Sequence, residues 1–242
     1  MPKEKVETRD YFRFFLCGLF GVAINQLLFF EGLARTTTIN AALIMTSNPV
    51  LVLIAAVFML HDKITIRKII GISLGILGAA MLILRSDSIS MGQGTWKGDL
   101  MILINAASYA VFLVMAKPLM LKYNPFRVIT WTFVFGLLLV IPFGANQFNQ
   151  VQWNTFSWQV WLAVLYVCFF STFMVYLLST YGLKHLSPAV VSFYIYAQPL
   201  FATFISLLVT GEPVSLVQGI ACVLIFSGVY IVSNKSIAKE KS

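Results

Sequence analysis

Polar residues in this chain gather where they are costly. Thr46, Ser47, Asn48 and Pro49 interrupt an apolar run from about residue 38 to residue 60, and Tyr196, Gln198 and Pro199 interrupt a later one. Proline lacks the N–H that would bond the carbonyl four residues earlier, here those of Met45 and Ile195. In a bilayer such a carbonyl must be satisfied by neighbouring side chains or by water in a cavity. Hydroxyl and amide groups beside an interrupted helix can hold a polar solute by hydrogen bonds. The plainer alternative is a packing kink satisfied internally.

Other polar residues recur at helical spacing. Asn25 shares a face with Gly18 and Gly21, and Gln26 follows it. Asn105, Ser108 and Tyr109 fall within one turn, Thr172, Tyr176 and Thr180 form one stripe, and Ser192, Tyr196, Pro199 and Thr203 form another. Roughly half of such groups are expected to be hydrogen-bonding glue between helices, and the rest to line a cavity. The candidate substrate-cavity residues are Asn25, Thr46, Asn48, Pro49, Asn105, Tyr109, Tyr176, Tyr196, Gln198 and Pro199.

Groups suited to catalysis are sparse. Intramembrane enzymes need clustered His, Asp, Glu or Cys at one depth, but His61 and His185 stand in different parts of the chain, and no H-E-x-x-H, G-x-S-x-G or P-loop pattern occurs. Cys17, Cys168 and Cys222 lie in apolar runs without C-x-x-C spacing and read as packing residues. Glu31 is the one carboxylate well inside an apolar run, near its end, and reads as reaching the interface. Lys117 and Lys184 read as snorkelling groups. The expectation is a protein that is not an enzyme and uses no cofactor or metal.

The elements that position these residues follow from hydropathy. Of 242 residues 59% are hydrophobic and only 11% charged, and mean hydropathy is +0.86. Soluble domains carry about a quarter charged residues, so this is an integral membrane protein. Eight stretches reach the roughly 20 residues a span needs: 14–33, 39–60, 66–84, 100–120, 128–145, 160–182, 189–210 and 214–232. Trp96, Trp153 and Trp158 flank spans, as interfacial belts do. The net charge of +8 lies between the runs, so it signals topology and not a nucleic-acid partner. With the N-terminus in the cytoplasm, only Arg35, Arg85 and Lys97 of the seventeen basic residues face the other side. Both basic termini are therefore expected to be cytoplasmic, in a multi-pass protein of the plasma or inner membrane.

A shift of 150 residues lays one end of the chain on the other. Gly32 meets Gly182, Pro49 meets Pro199, Gly78 meets Gly228, Phe20 meets Phe170 and Asp62 meets Glu212. The period is five spans, so successive copies cross the membrane in opposite senses, as in many transporters. Gly71, Gly75, Gly78 and Ala79 put small residues on one face of the third span. That face suits packing within the bundle or, as the alternative, a homodimer.

SNPVLVLIAAVFMLHDKITIRKIIGISLGILGAAML and QPLFATFISLLVTGEPVSLVQGIACVLIFSGVYIV each resemble the EamA signature of the drug/metabolite transporter superfamily. That signature is a mid-helix proline, an acidic turn and a glycine-rich helix. The resemblance implies an all-α polytopic protein built from inverted five-helix repeats, ten helices in all. Here the first repeat (residues 1–85) is expected to hold three helices and to lack the first two. A connecting loop (86–99), a complete second repeat (100–233) and a basic cytoplasmic tail (234–242) follow. The function implied is export of small, amino-acid-like or amphipathic metabolites by alternating access, with Trp131, Tyr176, Tyr194, Tyr196 and Gln198 suiting such solutes. The alternative is a truncated, inactive or assembly-dependent fragment of such a transporter.

Overall fold

The structure is a computed structural model that describes residues 6–36, 41, 44–84, 96–197 and 216–233. Among the described residues eight helices are labelled in order: α1 (Thr8–Leu33), α2 (Asn48–Leu60), α3 (Ile66–Leu84), α4 (Trp96–Lys122), α5 (Pro125–Gln150), α6 (Trp158–His185), α7 (Pro188–Phe193, prolonged by a 3-10 turn Tyr194–Ala197) and α8 (Leu216–Ser233). They fall on the eight expected spans, and no strand occurs among the described residues. Of these, α1, α4, α5 and α6 are long and apolar enough to cross a membrane on those grounds alone. The fold is an all-α, multi-pass membrane bundle.

Helix ends follow local chemistry. Asn124 caps α5 by accepting from the Phe126 N–H at 3.0 Å, and Pro125 opens that helix where a missing N–H costs nothing. The α2 helix stops at His61, in the left-handed region at φ 54°, with the Asp62 N–H returning to the Ala56 carbonyl. Asp62 then pairs with Lys68 at 2.8 Å and secures the turn into α3. Several boundaries differ from expectation, among them the start of α1, at Thr8 and not at residue 14. The α5 helix continues through residues 146–150, because Asn, Gln and Phe there include no helix breaker. The second span is not one helix with a proline kink. Its helical backbone at Ile44–Met45 gives way to a turn at Thr46–Ser47, and α2 starts afresh at Asn48 with Pro49 in its first turn.

The core forms around α4, half of whose spanning window is buried, against 6% for α6. Phe112, Leu113 and Leu119 of α4 pack with Phe14 and Cys17 of α1 and Val52 of α2. Glycines set the closest approaches. A Cβ on Gly18 would lie 2.8 Å from the Gly136 nitrogen of α5, and one on Gly21 would lie 2.5 Å from the Phe112 ring.

The α3–α8 contact shows how the repeats are related. A Cβ on Gly78 would lie 2.8 Å from the Ala221 carbonyl oxygen, and one on Gly228 would lie 2.6 Å from that of Gly71. Gly78 and Gly228 are equivalent under the 150-residue shift, and so are Gly71 and Ala221. Each contact is therefore the other with the repeats exchanged, as a two-fold axis between α3 and α8 produces. Gly71, Gly75 and Gly78 of the small-residue face take part in this intramolecular contact. Adding a methyl at Gly228 should overpack it and destabilise by about 1–3 kcal/mol. Gly219, with nothing within 4 Å of its would-be Cβ, should gain up to about 1 kcal/mol of helix propensity from the same change. Thermal unfolding in detergent of Gly228→Ala and Gly219→Ala should thus shift in opposite directions.

Candidate functional site

The first polar group forms where α1 is irregular. Residues Leu19–Ile24 make a π turn, and α6 carries another at Val167–Met174. Under the repeat shift, residues 19–24 fall on 169–174, so the two irregularities are equivalent. A π turn displaces the backbone bonding pattern, and such turns occur often at functional sites. Beside the first, the Tyr176 hydroxyl of α6 donates to the Gly21 carbonyl and stands 3.1 Å from Asn25 Oδ1. Asn105 of α4 donates from Nδ2 to the Asn25 carbonyl at 2.6 Å, and Asn25 Nδ2 returns a bond to the Asn105 carbonyl at 3.3 Å. Ser108 donates to that same carbonyl. Helices α1, α4 and α6 are thereby joined through side chains that are buried or half-buried. The Tyr176 ring sits among Tyr109, Phe112 and Phe133.

The second group forms at the break before α2. The Ile44 carbonyl accepts from both the N–H and the hydroxyl of Ser47, at 3.0 and 2.6 Å. The Thr46 carbonyl accepts from the Tyr196 hydroxyl at 2.9 Å. Thr46 and Tyr196 are also repeat equivalents, so this bond lies where the two-fold axis passes. Tyr196 is fully buried; its ring lies against Phe193 and over Gly75, which has room only for a hydrogen. Next to the break, Asn48 is 1% exposed and its Oδ1 accepts no hydrogen bond among the described residues. A buried acceptor in that state costs free energy until a donor arrives.

The ten expected site residues thus divide. Asn25, Asn105, Tyr109 and Tyr176 gather at α1, α4 and α6, whereas Thr46, Asn48, Pro49 and Tyr196 gather at the break. Gln198 and Pro199 lie outside the described residues. Thr180 donates to the Tyr176 carbonyl within its own helix. Trp131 meets Tyr11 edge-on at 4.9 Å and packs on Phe135, a joint between α1 and α5, and Tyr194 is exposed.

Three features escaped the sequence. The π turns carry no composition signal; only their equivalence in the repeat could have suggested one from the other. Lys117 does not snorkel: its Nζ donates to the Leu183 and Leu186 carbonyls at 2.6 and 3.1 Å, capping the end of α6, where unpaired carbonyls attract cations. Asp10, 3% exposed, accepts from Lys122 Nζ at 2.6 Å and from the Tyr123 hydroxyl at 2.7 Å, while Lys122 also pairs with Glu7. This cluster ties the start of α1 to the end of α4 across more than 100 residues, beyond the reach of any spacing rule. Glu31, by contrast, is exposed and pairs with Arg35.

The model of the EamA-like transporter family matches residues 1–84 and 96–234. The chain belongs to this family. Among relatives of this EamA-like protein, the uncharacterized transporter YyaM of Bacillus subtilis is 28% identical over 233 residues, covering 96% of this chain and 76% of the relative. An uncharacterized transporter of Archaeoglobus fulgidus is 23% identical over 233 residues, covering 96% and 79%. A solved crystal structure superposes with a TM-score of 0.77 at 18% identity, over 95% of this chain and 79% of that one, and so shares the EamA-like fold.

If Tyr176 joins the helices as described, Tyr176→Phe should destabilise the protein by about 1–2 kcal/mol, since it orphans the Gly21 carbonyl. Tyr181→Phe, on the exposed face of the same helix, should leave stability within about 0.5 kcal/mol. Equal unfolding midpoints for the two variants would remove the tyrosine bridge from the account.

Proposed function

We propose that this membrane transporter of the EamA-like family moves small, amino-acid-like or amphipathic metabolites by alternating access of its two inverted repeats. The observation that carries this reading is the pair of repeat-related helix interruptions: the turn at Thr46–Ser47 bonded to Tyr196, and the equivalent π turns of α1 and α6. Interrupted helices at equivalent places in two repeats are where transporters bind their solutes. The unpaired Asn48 Oδ1 supports a solute that brings a hydrogen-bond donor, an ammonium or hydroxyl group. The aromatic side chains around Tyr176 would accept its apolar part.

In this reading the protein lies in the plasma or inner membrane with both termini cytoplasmic, and it exports its substrate. The solute takes the place of internal bonds at the break and releases the Tyr196–Thr46 contact, so that one repeat rocks against the other. The chain carries out no covalent chemistry. A second reading, a fragment that requires assembly, is favoured by one observation: every residue of 158–171 in α6 is exposed.

Flux of amino acids and small amines in proteoliposomes tests the transporter reading. Asn48→Ala should lower flux by about tenfold or more, as it removes a bond of roughly 1.5 kcal/mol to the bound solute, and Tyr196→Phe should alter flux because the contact that switching must release is already absent. Tyr181→Phe should transport normally. Flux that is measurable yet indifferent to Asn48 and Tyr196 would refute the site, and no flux of any tested solute would favour the assembly-dependent fragment.

A further inference from the structure

The two π turns are equivalent in the repeat, but they are served differently. At the α1 turn the Tyr176 hydroxyl, from the second repeat, donates to the Gly21 carbonyl. The 150-residue shift lays Gln26 on Tyr176 and Gly21 on Ser171, which lies inside the α6 turn. Among the described residues Gln26 does not make the counterpart bond; its side-chain amide meets the Tyr176 hydroxyl itself. A tyrosine hydroxyl has one hydrogen, which the Gly21 carbonyl takes, so Gln26 meets the oxygen as a donor and keeps a second amide hydrogen. Because Gln26 and Tyr176 are equivalents, their contact lies on the two-fold axis, as that of Thr46 and Tyr196 does. When two inverted repeats exchange conformations, a contact on the axis stays between the same residues, while bonds off the axis pass to their counterparts.

Building on the alternating-access reading above, we propose that Gln26 is the switching counterpart of Tyr176. In the oppositely facing state Gln26 donates to the Ser171 carbonyl of α6, and the Tyr176–Gly21 bond is released. The residue types fit this exchange. Both side chains are neutral donors, which stabilise a carbonyl to a similar degree, so the two states stay close in energy, as a carrier that visits both requires. Gly21, already bonded, is buried, whereas Ser171 is exposed. The two donors already touch, so switching changes which carbonyl is served and leaves the pair together. Gln26 is therefore a positioning residue of the transport cycle, acting through α6 and not on the solute.

Distances between spin labels in liposomes test this. Phe12 of α1 and Tyr181 of α6 are exposed, and both lie at the end of the bundle where Lys117 and Lys122 of α4 reach α6 and α1. Cysteines there carry the labels after Cys17, Cys168 and Cys222 are replaced by alanine. Pulsed EPR should give two distances, one of them that of the structure. Gln26→Met keeps the length of the side chain and removes its amide; it should deplete the second distance by about fivefold, the worth of one neutral hydrogen bond. Tyr176→Phe should enrich the second distance by about as much. Two distances that both substitutions shift in one direction, or that Gln26→Met leaves unchanged, would overturn the exchange and leave alternating access standing. A single distance in all three proteins would overturn the exchange together with the alternating-access reading beneath it.

Discussion

A backbone carbonyl that leaves its helix inside a bilayer must find a donor within the protein, and this requirement organises the molecule. At several places where a helix departs from regularity or ends, a side chain answers. Ser47 returns to Ile44, Tyr196 reaches Thr46, Tyr176 reaches Gly21, and Lys117 closes the end of α6 at Leu183 and Leu186. Two of these donors, Tyr176 and Tyr196, come from the second repeat and serve carbonyls of the first. Two of these irregularities are thus held by bonds that cross from one repeat to the other.

Glycine supplies the complementary constraint. Between α3 and α8 the reciprocal contacts at Gly78 and Gly228 bring backbone onto backbone, Gly18 does the same between α1 and α5, and Gly21 admits the Phe112 ring of α4. Apolar side chains gain little from meeting each other when lipid is the alternative, so close approach and interhelical hydrogen bonds carry association. The first half of α6 has no such contact among the described residues and is exposed throughout.

Much of this was legible in sequence, for definite reasons. Apolar runs bounded by turn residues place the eight helices, since length and hydropathy are dictated by the bilayer. The 150-residue shift found the repeat because Pro49, Gly78 and their counterparts share one register. Pro49 was read as marking an interrupted helix, with a packing kink as the alternative; the interruption lies just before it, as a turn at Thr46–Ser47, and Pro49 stands in the first turn of the helix that follows. Reading polar side chains by spacing found Asn25, Asn105 and Tyr176, but could not tell that they bond to one another, because their contacts span 80 and 151 residues. The Asp10 cluster was missed for the same reason, and the π turns because ordinary apolar residues form them.

The carbonyl of Thr46 offers the most direct test of donors reaching across the repeats. Thr46–Ser47 is the one Thr-Ser pair in the chain, so labelling threonine carbonyls with carbon-13 and serine nitrogens with nitrogen-15 isolates its signal by NMR. With the Tyr196 hydroxyl in place the resonance should lie in the hydrogen-bonded range, and in Tyr196→Phe it should move upfield. A resonance that ignores the substitution would contradict the bond and, with it, the view that the second repeat holds open the broken helix of the first.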